Sequence, residues 1–258
     1  QTLFSGQSEF QKVDIFDTES MGRVLTLDGL MMTTERDEFY YHEMISHIPM
    51  MSHKNPESVL VIGGGDGGTI REVLKHDTVK KVVLCEIDGM VVDACKKYLP
   101  TIGCELDNPK VEVKIEDAIE FIKDKKACYD VILIDSTDPM GPGEGLFTEE
   151  FYTNVKEALK QGGIMAAQSE SPFINQAEMK KMYPLLRKVF PIVDTFTGPI
   201  PSYPGGYWSW CFCSETVSPF DYLDEERAEK ITKQCKIYNK EYHIARFALP
   251  NFVKELTK

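Results

Sequence analysis

Apolar residues are spread along this chain in two different ways, and the change falls near residue 53. Before it, short alternating stretches are separated by turn residues. Strands are predicted at 10–16, 23–27 and 29–34, with Glu19-Ser20-Met21-Gly22 and Asp28-Gly29 as the turns between them. Residues 37–50 then carry Phe39, Tyr40, Met44, Ile45 and Ile48 at the spacing of a helix. His53-Lys54-Asn55-Pro56 interrupts that pattern. Residues 1–52 are therefore expected to form a small N-terminal β-rich domain, and residues 53–258 a second, larger one.

In the larger part, strands and helices alternate. Strand 58–62 leads into a helix over 69–75, strand 81–87 into a helix over 89–98, and strand 111–115 into a short helix over 118–123. The run 131–134 is uniformly apolar, as in a strand buried on both faces. A helix over 149–160, a strand over 164–168, a helix over 176–189 and two closing strands near 192–197 and 207–213 complete the pattern. Such alternation predicts an α/β fold, a doubly wound and mostly parallel sheet. Ligands of such sheets lie outside the carboxyl ends of the strands, so the residues there are the candidates for chemistry.

The first strand of that series runs into Gly63-Gly64-Gly65-Asp66-Gly67-Gly68 and then a helix. Glycines let the backbone turn sharply and approach a ligand closely. Glu86 ends the second strand, 21 residues beyond Gly65, where an acid takes up the two hydroxyls of a ribose. A phosphate would suit the helix N-terminus. Asp66 opposes it, because like charges at ~4 Å repel by several kcal/mol at an effective dielectric near 20. The loop thus favours a nucleoside bearing a cation, unless Asp66 serves only to cap the helix. The third strand ends at Glu116-Asp117-Ala118, where Asp117 suits either an adenine amino group or a helix cap. The fourth delivers Asp135-Ser136-Thr137-Asp138-Pro139-Met140-Gly141-Pro142. Its two carboxylates lie at the expected ligand mouth, ahead of a Pro- and Gly-rich loop able to act as a lid, although the same residues are ordinary turn formers.

Composition adds a few exclusions. A formal charge of −12 disfavours nucleic acid as a partner and favours cationic ones. No apolar run is long enough to span a membrane, and no signal peptide is visible. The chain starts at Gln1 rather than Met, so a preceding segment, with any targeting signal it carries, is expected to be missing. Seven scattered cysteines read as small buried hydrophobes of a reducing, cytoplasmic compartment. The five histidines show no metal-ligand spacing beside cysteines, so no metal is expected.

Five ordered blocks resemble the spermidine synthase family, the polyamine aminopropyltransferases, over essentially the whole chain. They are the glycine loop from Gly63 to Gly68, Cys85-Glu86-Ile87-Asp88, the Asp135 to Pro142 segment, Glu35-Arg36-Asp37-Glu38-Phe39-Tyr40-Tyr41-His42-Glu43-Met44, and Pro201-Ser202-Tyr203-Pro204-Gly205-Gly206. The resemblance implies a methyltransferase-like Rossmann fold behind an N-terminal β-domain. It implies transfer of an aminopropyl group from decarboxylated S-adenosylmethionine, a co-substrate rather than a cofactor, to putrescine. By resemblance Gln11, Glu86, Asp117, Ala118 and Pro142 hold the methylthioadenosine part of the donor. Asp66 meets its aminopropyl end and Asp135 accepts the proton. Asp138, Tyr41, His42 and Tyr203, joined by Glu170, line the amine channel. His42 stands where some relatives carry Gln. A homodimer or homotetramer is implied as well.

The residues alone leave alternatives open. Gln11 reads equally as a solvated strand residue, and Tyr41 and Tyr203 as core aromatics with satisfied hydroxyls. An N-methyltransferase using intact S-adenosylmethionine is one competing activity, although Asp66 would repel that donor's carboxylate. Cadaverine, agmatine and spermidine are competing acceptors, and a non-catalytic polyamine-binding protein is a competing class.

Overall fold

A computed structural model describes residues 1–138 and 141–258, with 141 and 142 described by backbone alone. Four strands open the chain: β1 (Thr2–Gln7), β2 (Lys12–Thr18), β3 (Gly22–Leu27) and β4 (Leu30–Thr34), joined as an antiparallel meander. β1 is an element the apolar pattern does not predict, because only Leu3 and Phe4 interrupt a polar run. Val13, Ile15 and Leu27 on the inner face of the meander pack on Val91, Ala94 and Leu99.

The helix α1 (Phe39–Ser52) is buried from Tyr41 to Ser52 on every side. Met44, Ile45 and Ile48 pack with Phe196, Trp210 and Phe212, which belong to the larger sheet described next. Packing therefore seats α1 against the larger sheet. Spacing could not show this, because the polar side of α1 is also buried, on partners distant in sequence. Glu43 accepts the backbone N–H groups of Lys236, Ile237 and Tyr238 at 2.7, 2.8 and 2.8 Å.

Strand and helix then alternate as predicted: β5 (Ser58–Gly63), α2 (Gly68–Leu74), β6 (Lys81–Glu86), α3 (Gly89–Tyr98), β7 (Val111–Ile115), α4 (Ala118–Lys123), β8 (Tyr129–Asp135), α5 (Glu149–Ala158), β9 (Leu159–Gln168) and α6 (Gln176–Val189). A hairpin-like pair, β10 (Ile192–Pro199) and β11 (Tyr207–Ser214), follows, and α7 (Glu225–Thr232), α8 (Lys240–Arg246) and α9 (Asn251–Leu256) end the chain. The seven strands are ordered β10-β11-β9-β8-β5-β6-β7. Pairs from β9 to β7 are parallel, while β11 is antiparallel to both neighbours. The link between β10 and β11 is too short for the crossover that a parallel pair requires. The helix predicted over 149–160 stops at Ala158, and β9 begins at the next residue, carrying Gly162-Gly163 inside a strand.

One feature of this topology positions the site. After β5 the chain winds to one side through β6 and β7, then returns to lay β8 on the other side of β5. The crevice of a doubly wound sheet opens at such a switch point. Here the last paired residues are Gly63 and Asp135, directly opposite each other.

Candidate active site

A cavity of about 550 Å³ opens over that switch point. Leu25, Leu27 and Met32 from the meander, with Ile62 and Val91, supply apolar wall, while the polar groups converge from the strand ends. The meander thus closes the cavity from above, which its sequence pattern does not disclose.

Gly63 and Gly64 adopt φ of +74° and +69°, the left-handed region that favours glycine. The backbone there lies against Asp135, whose carboxylate accepts the Thr69 hydroxyl at 2.6 Å. Burial, and then the neighbouring Asp66 charge, push the Asp135 carboxyl up from the ordinary aspartate range. His42 and the Thr69 and Tyr41 hydroxyls oppose that rise. A carboxylate made more basic in this way accepts a proton more readily than one in water.

Asp66 does two things at once. Its Oδ1 accepts the Gly68 N–H at 2.8 Å, the capping role open from sequence, while Oδ2 lies 3.4 Å from His42 Nε2. The other ring nitrogen of His42, Nδ1, is 2.6 Å from Glu38 Oε2. His42 lines the cavity, but both its nitrogens are engaged by carboxylates of the protein rather than pointing freely into the space.

Glu86 is buried at the end of β6 and accepts the Asp88 N–H at 2.9 Å. Burial pushes its carboxyl up to about 7, against the lowering effect of the backbone N–H groups around it. Gln11 reaches the same corner, donating from Nε2 to Asp88 at 3.1 Å. Asp117 caps α4 by accepting the Ile119 N–H at 2.8 Å and stands exposed on the rim, with Ala118 buried beside it. Pro142 lies outside the residues whose side chains are described.

On the opposite side stand Tyr41, Tyr203 and Asp138. The Tyr203 hydroxyl donates to Met32 O at 2.6 Å, and its ring meets Trp208 edge-on at 4.8 Å. Burial, and then the Asp135 charge, raise both tyrosine hydroxyls well above their ordinary range, so both remain neutral donors. Glu170 is the one predicted amine-site residue that does not line the cavity. It is buried behind Gln168, in a left-handed backbone conformation (φ 73°), and takes the Gln168 Nε2–H at 3.1 Å. Burial, and then the Asp138 charge, push its carboxyl up to about 8.

Several further wall residues have no role assigned to them from the sequence. Asp37 accepts the Thr34 hydroxyl at 2.6 Å and the Ser202 N–H at 2.7 Å, tying β4 to the 201–206 loop. Glu38, Gln168 and Trp208 also line the space. Asp37 and Glu38 lie inside a quoted block, so their position was a signal; Gln168 and Trp208 carried none beyond sitting at strand termini.

Among the described residues, one group of metal-ligand types does converge: His47, Glu72 and Cys235, with His76 beside them. His47 Nε2 lies 2.9 Å from Glu72 and 3.1 Å from Cys235, hydrogen-bond separations. Arg71 and Lys75 already sit on the Glu72 carboxylate at 2.9 and 2.5 Å. The sequence separation of 188 between His47 and Cys235 hides this cluster from any spacing rule.

Residues 38–223 match the family described as the spermine/spermidine synthase domain, and residues 1–35 match the spermidine synthase tetramerisation domain. The chain is 49% identical over 256 residues to a polyamine aminopropyltransferase of Thermotoga neapolitana, covering 99% of this chain and 86% of that one. It is 50% identical over 255 residues to another from Alkaliphilus metalliredigens, covering 98% and 90%. A crystal structure of spermidine synthase in complex with the transition state analogue AdoDATO superposes with a TM-score of 0.97 at 49% identity, covering all of this chain and 88% of the other. Spermidine synthase from Thermotoga maritima gives 0.94 at 47% identity, covering 100% and 87%.

Proposed function

The chain belongs to the spermine/spermidine synthase family and is an aminopropyltransferase, and from that premise we propose that it moves the aminopropyl group of decarboxylated S-adenosylmethionine onto putrescine, giving spermidine and 5'-methylthioadenosine. One observation carries the choice of acceptor. Of the carboxylates lining the cavity, Glu38 and Asp66 face His42, Asp37 and Asp117 accept backbone N–H groups, and Glu86 stands at the ribose corner. Asp135 and Asp138 remain, two acids for the two nitrogens of a diamine. Glu170, held neutral up to about pH 8, adds no third. A triamine would bring a charge with no carboxylate to meet it.

In this reading the donor's ribose lies on Glu86, with Gln11, Asp117 and Ala118 around its base and sugar. Its sulfonium and aminopropyl chain pass Gly64 toward Asp66. The amine enters between Asp138 and Asp135. An alkylammonium has a pKa near ~10.4 and no lone pair to attack with, so it must lose a proton first. Asp138 and the neutral Tyr41 hydroxyl orient the nitrogen, and Asp135 takes the proton. The freed lone pair forms the new N–C bond in line as the C–S bond breaks, and the sulfur leaves as a neutral thioether.

Acceptor choice is checked by mass spectrometry of products from putrescine, cadaverine, agmatine and spermidine, each with the decarboxylated donor. Putrescine is expected to lead by at least about tenfold in kcat/KM, the scale of one methylene in a fitted pocket. Preference for spermidine would overturn the two-carboxylate argument.

A second expected outcome concerns pH. Glu86 can accept from both ribose hydroxyls only when ionised, since protonation turns one oxygen into a donor, and burial pushes its carboxyl up to about 7. Donor affinity should therefore fall as pH drops through about 7, approaching about tenfold per pH unit below it. Calorimetry of donor binding between pH 5.5 and about 8.5 reads this, and Glu86→Gln should bind weakly with a flat profile. A wild-type profile without the inflection counts against the assignment.

Among the described residues no helix is long and apolar enough to cross a membrane. All seven cysteines are free thiols, which suits a reducing cytoplasm. The tetramerisation match over residues 1–35 favours an assembly of four copies over a homodimer.

A further inference from the structure

His42 is 2% exposed, and each ring nitrogen faces a carboxylate: Nδ1 at 2.6 Å from Glu38, Nε2 at 3.4 Å from Asp66. A neutral imidazole has one N–H and one lone pair, so it would turn the lone pair toward a negative charge at one of those contacts. An imidazolium turns an N–H toward both, hydrogen-bonding Glu38 and pairing its charge with Asp66. Glu38 is itself pinned as an anion by Arg71 from α2, whose guanidinium lies 2.7 Å away. Gly68 completes the seat: a Cβ there would stand 2.3 Å from His42 Cε1 and Nδ1, so the last glycine of the loop makes room for this ring.

We propose that Glu38 is a positioning residue for the transfer reaction: it holds His42 as a fixed internal cation against Asp66, and through that cation keeps Asp135 free to take the substrate's proton. The proposal rests on the aminopropyl-transfer reading above and adds to it a residue that acts through another. Its electrostatic reason lies in the crowding of acids. The Asp66 charge, together with burial, discourages Asp135 from ionising. One positive charge placed between them and Glu38 offsets that repulsion before any substrate arrives. The groups around His42 are Glu38 at the N-cap and Tyr41 within its own helix, Asp66 from the loop after β5, Asp135 from β8 and, across Glu38, Arg71 from α2. Burial alone would lower the imidazolium's pKa, but the Asp66 and Glu38 carboxylates outweigh it and raise it well above the ordinary histidine value.

Glu38→Gln tests this with little change of shape, since the amide oxygen can still accept from Nδ1–H while the charge is lost. In the free protein, nitrogen chemical shifts of the His42 ring should show both nitrogens protonated at pH 8 in wild type and a titration toward the neutral ring below that pH in Glu38→Gln. The ratio of variant to wild-type kcat should then fall about tenfold or more from pH 6.5 to 8.5, while donor KM at pH 6.5 stays within about threefold. Glu38→Asp, which keeps the charge, should leave the ratio flat with pH. A ratio for Glu38→Gln that is low but constant with pH reports structure only and overturns the proposal. So does a neutral His42 ring in wild type at pH 7, a measurement that needs neither a folded variant nor turnover. Because that titration involves no acceptor, it stands apart from any failure of the putrescine assignment.

Discussion

Asp135→Asn is expected to lower turnover by roughly 10²–10⁴-fold while donor affinity stays within about threefold. The side chain sits at the end of β8, opposite Gly63 across the strand pair, and its carboxylate takes the Thr69 hydroxyl. Asparagine has the same shape and can accept that hydroxyl through its amide oxygen, so the seat is kept. It loses the ability to take up a proton. The entering amine is then left as an ammonium, whose free fraction near neutral pH is about 10⁻³ by its reference pKa. Single-turnover measurement of methylthioadenosine formation, with donor binding followed separately, distinguishes a lost base from a lost site. Turnover within about fivefold of wild type would remove Asp135 from the mechanism. Partial recovery at high pH, where more free amine is present, is the expected signature of a missing base.

The second large effect is expected from Gly63→Ala. A Cβ at this position would lie 2.3 Å from Asp135 O, 2.9 Å from its carbonyl carbon and 3.2 Å from Ser136 Cα. All three neighbours are backbone, so no side chain can swing aside. The residue is also left-handed at φ +74°, which costs an L-residue about 1–2 kcal/mol. Overpacking adds about 1–3 kcal/mol. Together these correspond to a loss of roughly 2–5 kcal/mol, or a fall of about 5–20 °C in the midpoint of thermal unfolding for a chain of this size. Since β8 is the element displaced, Asp135 moves with it, and kcat should drop by about 10²-fold from the shift alone. Gly29→Ala is the control. Gly29 is left-handed too (φ +81°), but nothing lies within 4 Å of its Cβ position. It should lose only the conformational share. Equal melting shifts for the two variants would show that the close approach of β5 to β8 is not the cause.

The alternation of strand and helix patterns was enough to place β5, β6, β7 and β8 and the helices between them: β5, β6 and β8 are nearly continuous apolar runs, as strands buried on both faces require, while β7, at the sheet edge, keeps the period-two alternation of Val111, Val113 and Ile115. From that alternation alone, Asp66, Glu86, Asp117 and Asp135 fall at strand carboxyl ends, and all four line one cavity. The acidic glycine loop also gave its electrostatic message directly, as a carboxylate at a helix N-terminus is a local fact. Its detailed use was not legible. Asp66 both caps the turn at Gly68 and faces a buried histidine 24 residues earlier, and Gly68 is empty for the sake of that ring.

What the sequence determined by itself was thus the order of elements, the mouth of the sheet and the kinds of group brought there, since these follow from neighbours within a few residues. What tertiary structure decided was which groups remain available. Asp37 is taken by Ser202, Glu43 by the backbone near residue 237, and Glu38 by His42 and Arg71. Tyr203 is tied to Met32, and Glu170 is turned behind the wall it was expected to form. The placement of α1 on the large sheet belongs to the same category. Each pairing joins groups by distance and burial rather than by spacing, and a hydrogen bond acts over about 3 Å whatever the length of chain between its partners. The count of carboxylates still free to meet an amine therefore exists only in the folded chain.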